Sequence, residues 1–163
     1  MRASCSEGLH CARGFTLPEL VIVLVLLGVL SAVALPKMGS ALAMRETAWR
    51  DQVVAALRLA CSTAISHRRL VCASVASGSV QLAIAPTPGA TACTAVLTAP
   101  DGSATWAAEP SGIATTISPA GTLYFQPSGR VTSDGAGASA SSRTIAIAGE
   151  SAITLIGETG HVR

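Results

Sequence analysis

GFTLPELVIVLVLLGVLSAVAL, residues 14 to 35, decides how the rest of the chain is read. From Leu20 to Leu35 it carries no charge. Counted from Phe15 it reaches about 31 Å as a helix, close to the hydrocarbon thickness of a bilayer. Residues 15–36 therefore read as a transmembrane helix. Glu19 is the exception inside it. A carboxylate at membrane depth costs roughly 2.5 to 3.5 kcal/mol on insertion scales, so this one needs a partner or a function.

The flanks orient the span. Residues 1–14, MRASCSEGLHCARG, are short and polar and place Arg2 and Arg13 ahead of the apolar run, whereas Lys37 stands alone behind it. Positive charge keeps the first flank in the cytoplasm, so the remainder faces outward. A cut before the run, after Gly14, is the favoured processing. The alternative is a secretory-type cut near the Ala-x-Ala-like match at Ala32 to Ala34.

A Gly, then Phe-Thr-Leu-x-Glu, then a long apolar helix resembles the processing site of type IV pilins and of the pseudopilins of type II secretion. In that family a membrane-embedded prepilin peptidase cuts after the Gly and methylates the new N-terminal Phe. The resemblance implies a leader of residues 1–14, cleavage between Gly14 and Phe15, N-methylation of Phe15 and an assembly role for Glu19. Pro18 occupies the variable position. Cleavage would create an α-amino group of reference pKa about 8, largely cationic at neutral pH, four residues before Glu19. Pairing the two, within one helix or between neighbours, removes an unpaired charge from the apolar layer. The plainer alternative is a Glu that snorkels at the membrane edge or caps the first helical turn.

After Leu35 the chain has room for one further domain. Half of the 163 residues are hydrophobic, but only 3% are aromatic, so the core must be built of small aliphatic side chains. A formal net charge of +2 gives no electrostatic reason to expect a nucleic-acid binder. Residues 37–67 read as an amphipathic continuation of the helix. Trp49, Val53, Leu57 and Cys61 recur every four residues, flanked by Ala56, Ala60, Ala64 and Ile65, with Arg45, Glu46, Arg50, Asp51 and Arg58 on other faces. Gly28 and Pro36 interrupt the helix without ending it, and Pro36 should bend it locally.

From Leu70 the period changes to two. LVCASVA and VQLAI flank Ser77-Gly78-Ser79 as a hairpin. CTAVLTA follows the loop APTPGAT and precedes a turn at Asp101-Gly102. Ile113 to Ile117 and Thr122 to Phe125 read as strands, Ser133 to Ser142 as a mobile low-complexity loop, and TIAIA with AITLI as a closing hairpin around Gly149-Glu150-Ser151. The fold expected is α+β and pilin-like: a long N-terminal helix, membrane-spanning in its first half, packed on a C-terminal antiparallel β domain of residues 68–163.

YFQPSGRV at Tyr124 to Val131 and GETGHVR at Gly157 to Arg163 resemble an aromatic-x-Pro-x-Gly turn and a terminal Gly-x-x-Arg-like strand of the H-type minor pseudopilins and related minor pilins. The ending also resembles minor pilins of mannose-sensitive haemagglutinin pili. These resemblances imply a structural subunit of the bacterial inner membrane, single-pass with its C-terminal domain in the periplasm. Its partners would be the prepilin peptidase/methyltransferase and other pilin or pseudopilin subunits in an assembled filament.

The remaining candidates are weighed against plainer readings. Five cysteines occur, at 5, 11, 61, 72 and 93, and a cut at Gly14 leaves three. Cys61 reads as a small buried hydrophobe on the helix stripe. A Cys72 to Cys93 disulfide is favoured over other pairings on the oxidising side, although spacing alone does not fix Cα separation. His67, Arg68 and Arg69 form the one basic cluster. They suit a helix C-terminus as solvated charge; the less favoured alternative that the resemblance implies is a filament-borne binding module, an adhesin or a DNA receptor with contacts at Arg68, Arg69 and Arg163, and phosphate binding needs more cations than this end supplies. No metal, cofactor or catalytic constellation is expected: the histidines lack ligand spacing, and neither a nucleophile elbow nor a phosphate loop occurs.

Overall fold

The computed structural model of the protein describes residues 16–109 and 112–163, with the side chains of all of these except 32–42. The leader with its arginines, its two cysteines, Gly14 and Phe15 lies outside the described residues, as do the side chains of Pro36 and Lys37. One helix, α1 (Leu17–His67), includes Gly28 and Pro36. Nine strands follow: β1 (Val71–Ala76), β2 (Ser79–Ile84), β3 (Ala95–Val96), β4 (Thr105–Ala108), β5 (Thr115–Ser118), β6 (Leu123–Phe125), β7 (Val131–Thr132), β8 (Arg143–Ile147) and β9 (Ile153–Leu155). The fold is α+β, an N-terminal helix packed on antiparallel sheet. The chain forms two units that divide after Ala41, and each is described by itself.

In the second unit the helix buries Trp49, Val53, Ala56, Leu57, Ala60 and Ala64. These positions fall three, four, seven and eight apart, so they form one stripe. The stripe ends in a Schellman-type cap: the Arg68 amide donates to the Ile65 carbonyl and the Arg69 amide to the Ala64 carbonyl. Arg68 holds the left-handed position usual for glycine, with φ of 52°.

Two sheets cover the stripe. The larger runs β3-β2-β1-β6-β7, and β4 also pairs with β2, along the edge that β3 uses further on. The smaller runs β5-β8-β9. Val71, Ala73, Val80, Leu82, Leu123 and Phe125 from the first sheet meet Ile145, Ile147, Ile153 and Leu155 from the second around the helix, in one core. The alternation in β8, with Arg143, Ile145 and Ile147 buried and Thr144 and Ala146 exposed, is the period-two signature of a strand with one wet face. Gly78, with φ of +80°, closes the β1–β2 hairpin, and a Cβ there would stand 2.5 Å from the Glu109 carbonyl oxygen. Only glycine fits both demands.

Several expectations are corrected. Cys61 is half-buried rather than buried, and Ile65 is exposed. Both border an open groove beside the chain's final segment, and the Cys61 sulfur stands 3.9 Å from the Gly129 carbonyl. CTAVLTA contributes only the two-residue β3. Strands β4 and β7 were not foreseen. Ile113 to Ile117 and Thr122 to Phe125 are assigned to different sheets, as β5 and β6.

The segment from Ser133 to Ser142 is tied down. Ala140 bridges Thr132, the Ser141 amide donates to Val131, and the Gln126 amide group donates to the carbonyls of Asp134 and Gly135. Gly135 is pressed against the Thr91 carbonyl so closely that any side chain would collide with it.

Candidate functional site

The helix opens with the Leu20 amide donating to the Thr16 carbonyl at 3.1 Å, which places Glu19 in the first turn. An acid there is favoured by the positive end of the helix dipole. Behind it, the large side chains from Leu20 through Leu30 are all exposed, Leu30 at 64%. A run of leucines and valines this long is a surface made to be covered. Ser31, its one hydroxyl among the described side chains, donates back to the Leu27 carbonyl at 2.7 Å, so it brings no unsatisfied polar group into the run. Among the described residues no helix is long and apolar enough to cross a membrane. The apolar run described with its side chains, Leu17 to Ser31, is shorter than the roughly 20 residues that a span takes.

The other singled-out residues lie in the second unit. A disulfide joins Cys72 on β1 to Cys93 in the loop before β3, with Cα atoms 6.1 Å apart. Around it Leu70 and Ala85 are buried, with Tyr124 and Ala90 against them, in a small second cluster. Arg68 and Arg69 sit in the helix cap. Arg163 is held elsewhere, its amide and carbonyl exchanging hydrogen bonds with Thr154 of β9. Among the described residues no hydrogen bond or ion pair joins Arg163 to Arg68 or Arg69. No cluster of three or more His, Cys, Asp or Glu side chains suited to a metal occurs among them either.

Two features escaped the sequence reading. Arg143 is 5% exposed, its Nη1 donates to the Pro119 carbonyl at 2.7 Å and its Nε has no protein partner. The alternation of TIAIA pointed to a strand, but the buried position just before it was not assigned to an arginine. The second is a groove of about 490 Å³ between the last turns of α1 and the segment Thr159–Val162. Arg58 spans its rim and donates from Nη2 to the Val162 carbonyl at 3.1 Å.

In a comparison with known families, residues 9–35 fit the prokaryotic N-terminal methylation motif. No curated protein and no solved structure matches the chain with significance. The matched segment encloses Gly14, Phe15 and Glu19. This type IV pilin-type signal supports a type IV pilin-like protein processed by prepilin peptidase. It points to a structural subunit rather than an enzyme, with membrane-anchored and pilus-assembled forms and other pilin subunits as partners.

Proposed function

We propose that the chain is a minor pilin or pseudopilin, incorporated into a type II secretion pseudopilus or a type IV pilus at the start of assembly or at the tip. The precursor is held in the bacterial inner membrane by residues 15–36, with the β domain in the periplasm. Prepilin peptidase cuts after Gly14 and methylates Phe15. The freed amine, at a position four residues before Glu19, is the counter-charge that lets this acid enter an apolar helix layer, on its own helix or on that of a neighbouring subunit. The observation that carries the reading is the methylation motif over residues 9–35, in register with Glu19 and with the exposed apolar run behind it.

N-terminal sequencing and mass analysis of the membrane-extracted protein test it. A chain that begins at methylated Phe15 is expected, and Gly14→Val should block the cut. Recovery of an intact Met1, or of a start near Leu35, from cells with active peptidase would refute it. Glu19→Ala should leave cleavage largely intact and reduce incorporation into filaments. Assembly at the parental level would remove Glu19 from the pairing.

A further inference from the structure

The groove beside Arg58 belongs to no role assigned so far. Its lining is mostly apolar: Cys61, Ile65 and Val162 contribute, with Gly160 between and the hydroxyls of Ser62 and Thr159 beside them. Ile65 is half exposed, an uncovered aliphatic side chain at the edge of a concavity large enough to take a few side chains. Its permanent charge is a single cation. Arg58 spends one guanidinium nitrogen on the Val162 carbonyl, and His161 stands at the same rim.

No carboxylate lines the groove, and none pairs with Arg58 among the described residues. The nearest acid in sequence, Glu158, is engaged by Arg130 at 3.0 Å, outside the lining. An apolar floor under an unneutralised cation complements an apolar group that carries a negative charge.

We infer that this groove docks an acidic residue set in an apolar segment of a partner protein, its carboxylate on Arg58 and its neighbours against Ile65 and Val162. Planar guanidinium favours a carboxylate over other acceptors, because two parallel N–H groups match its two oxygens. The bond from Arg58 to Val162 fixes the guanidinium beforehand and so lowers the ordering cost of binding. The inference goes beyond the filament reading, since it concerns the β-covered half whatever happens at Gly14.

Cys61 supplies a reporter. In the full-length chain in detergent micelles, with Cys5→Ser and Cys11→Ser, thiol alkylation reads the floor of the groove. The probes are acetyl-Leu-Asp-Leu-amide and its Asn counterpart. The Asp peptide should slow Cys61 alkylation, and the Asn peptide should bind about tenfold more weakly, the usual loss when a hydrogen bond to a charged group becomes a neutral one. Arg58→Gln should make the two peptides equal. Because Arg58→Gln also frees the Val162 carbonyl, Ser62→Asp serves as the second variant: it keeps Arg58, sets a carboxylate one helical turn away to neutralise it, and should abolish protection by the Asp peptide. Three results overturn the inference: equal protection by both peptides on the parent chain, no protection by either at millimolar concentration, or protection that rises with protein concentration alone, which would mean a second copy fills the groove. Processing at Gly14 is unaffected by any of these.

Discussion

At the scale of single residues, two positions show the backbone setting the role of a side chain. Arg68 stands in the left-handed region, where an L side chain costs roughly 1 kcal/mol that glycine does not pay. Arg68→Gly should therefore raise stability by about 1 kcal/mol in urea unfolding, the opposite of what loss of a favourable charge at the helix end would do. Asp101 is the second case. A hydrogen bond from the Ser103 amide, at 2.9 Å, holds its carboxyl below the usual aspartate range. A depressed folded value favours the native state above the unfolded pKa, and the contribution fades as pH falls through the folded one. An NMR titration should find the Asp101 midpoint below that of a free aspartate. Ser103→Ala, which keeps the amide, should leave the shift largely in place.

At the scale of elements, the structure separates what local pattern specifies from what pairing specifies. The helix and the β8–β9 hairpin were legible because their periods, near 3.6 and 2, are written in the residues themselves, with Gly149 at φ of +81° between the two strands. Strand β4 was not: TWAA has no alternation of apolar with polar, and it becomes a strand because β2 offers an edge, with a register shift between Val80 and Gln81 that leaves Trp106 unpaired in the ladder. Two-residue strands such as β3 and β7 are likewise defined by their partners. Trp49 is the joint between helix and smaller sheet, 1% exposed, with its indole N–H donating to the Thr115 hydroxyl of β5 at 2.9 Å. Trp49→Phe removes that bond and part of the ring and should cost about 1–3 kcal/mol, measured by chemical denaturation. A cost near zero would mean that β5 is not fastened through this residue.

At the scale of the whole molecule, the two candidate sites differ in how far apart their parts lie along the chain. The processing signal sits within residues 9–35 and could be read directly. The groove is made from residues 58–65 and 159–162, brought together only by folding, and no local motif announces it. Its cation was legible only as one charge off the helix stripe. The disulfide acts at this scale too, because it closes a loop of sequence separation 21 that contains β2 and the turn after it. Cys72→Ala/Cys93→Ala should lower unfolding free energy by about 3 kcal/mol on the loop-closure account. The same closed loop has an effect on proteolysis. Residues 86–89 are exposed and lie between the two bridged cysteines, so a protease that cuts there would leave both fragments on one covalent thread. The nick would be silent on a gel until reductant is added.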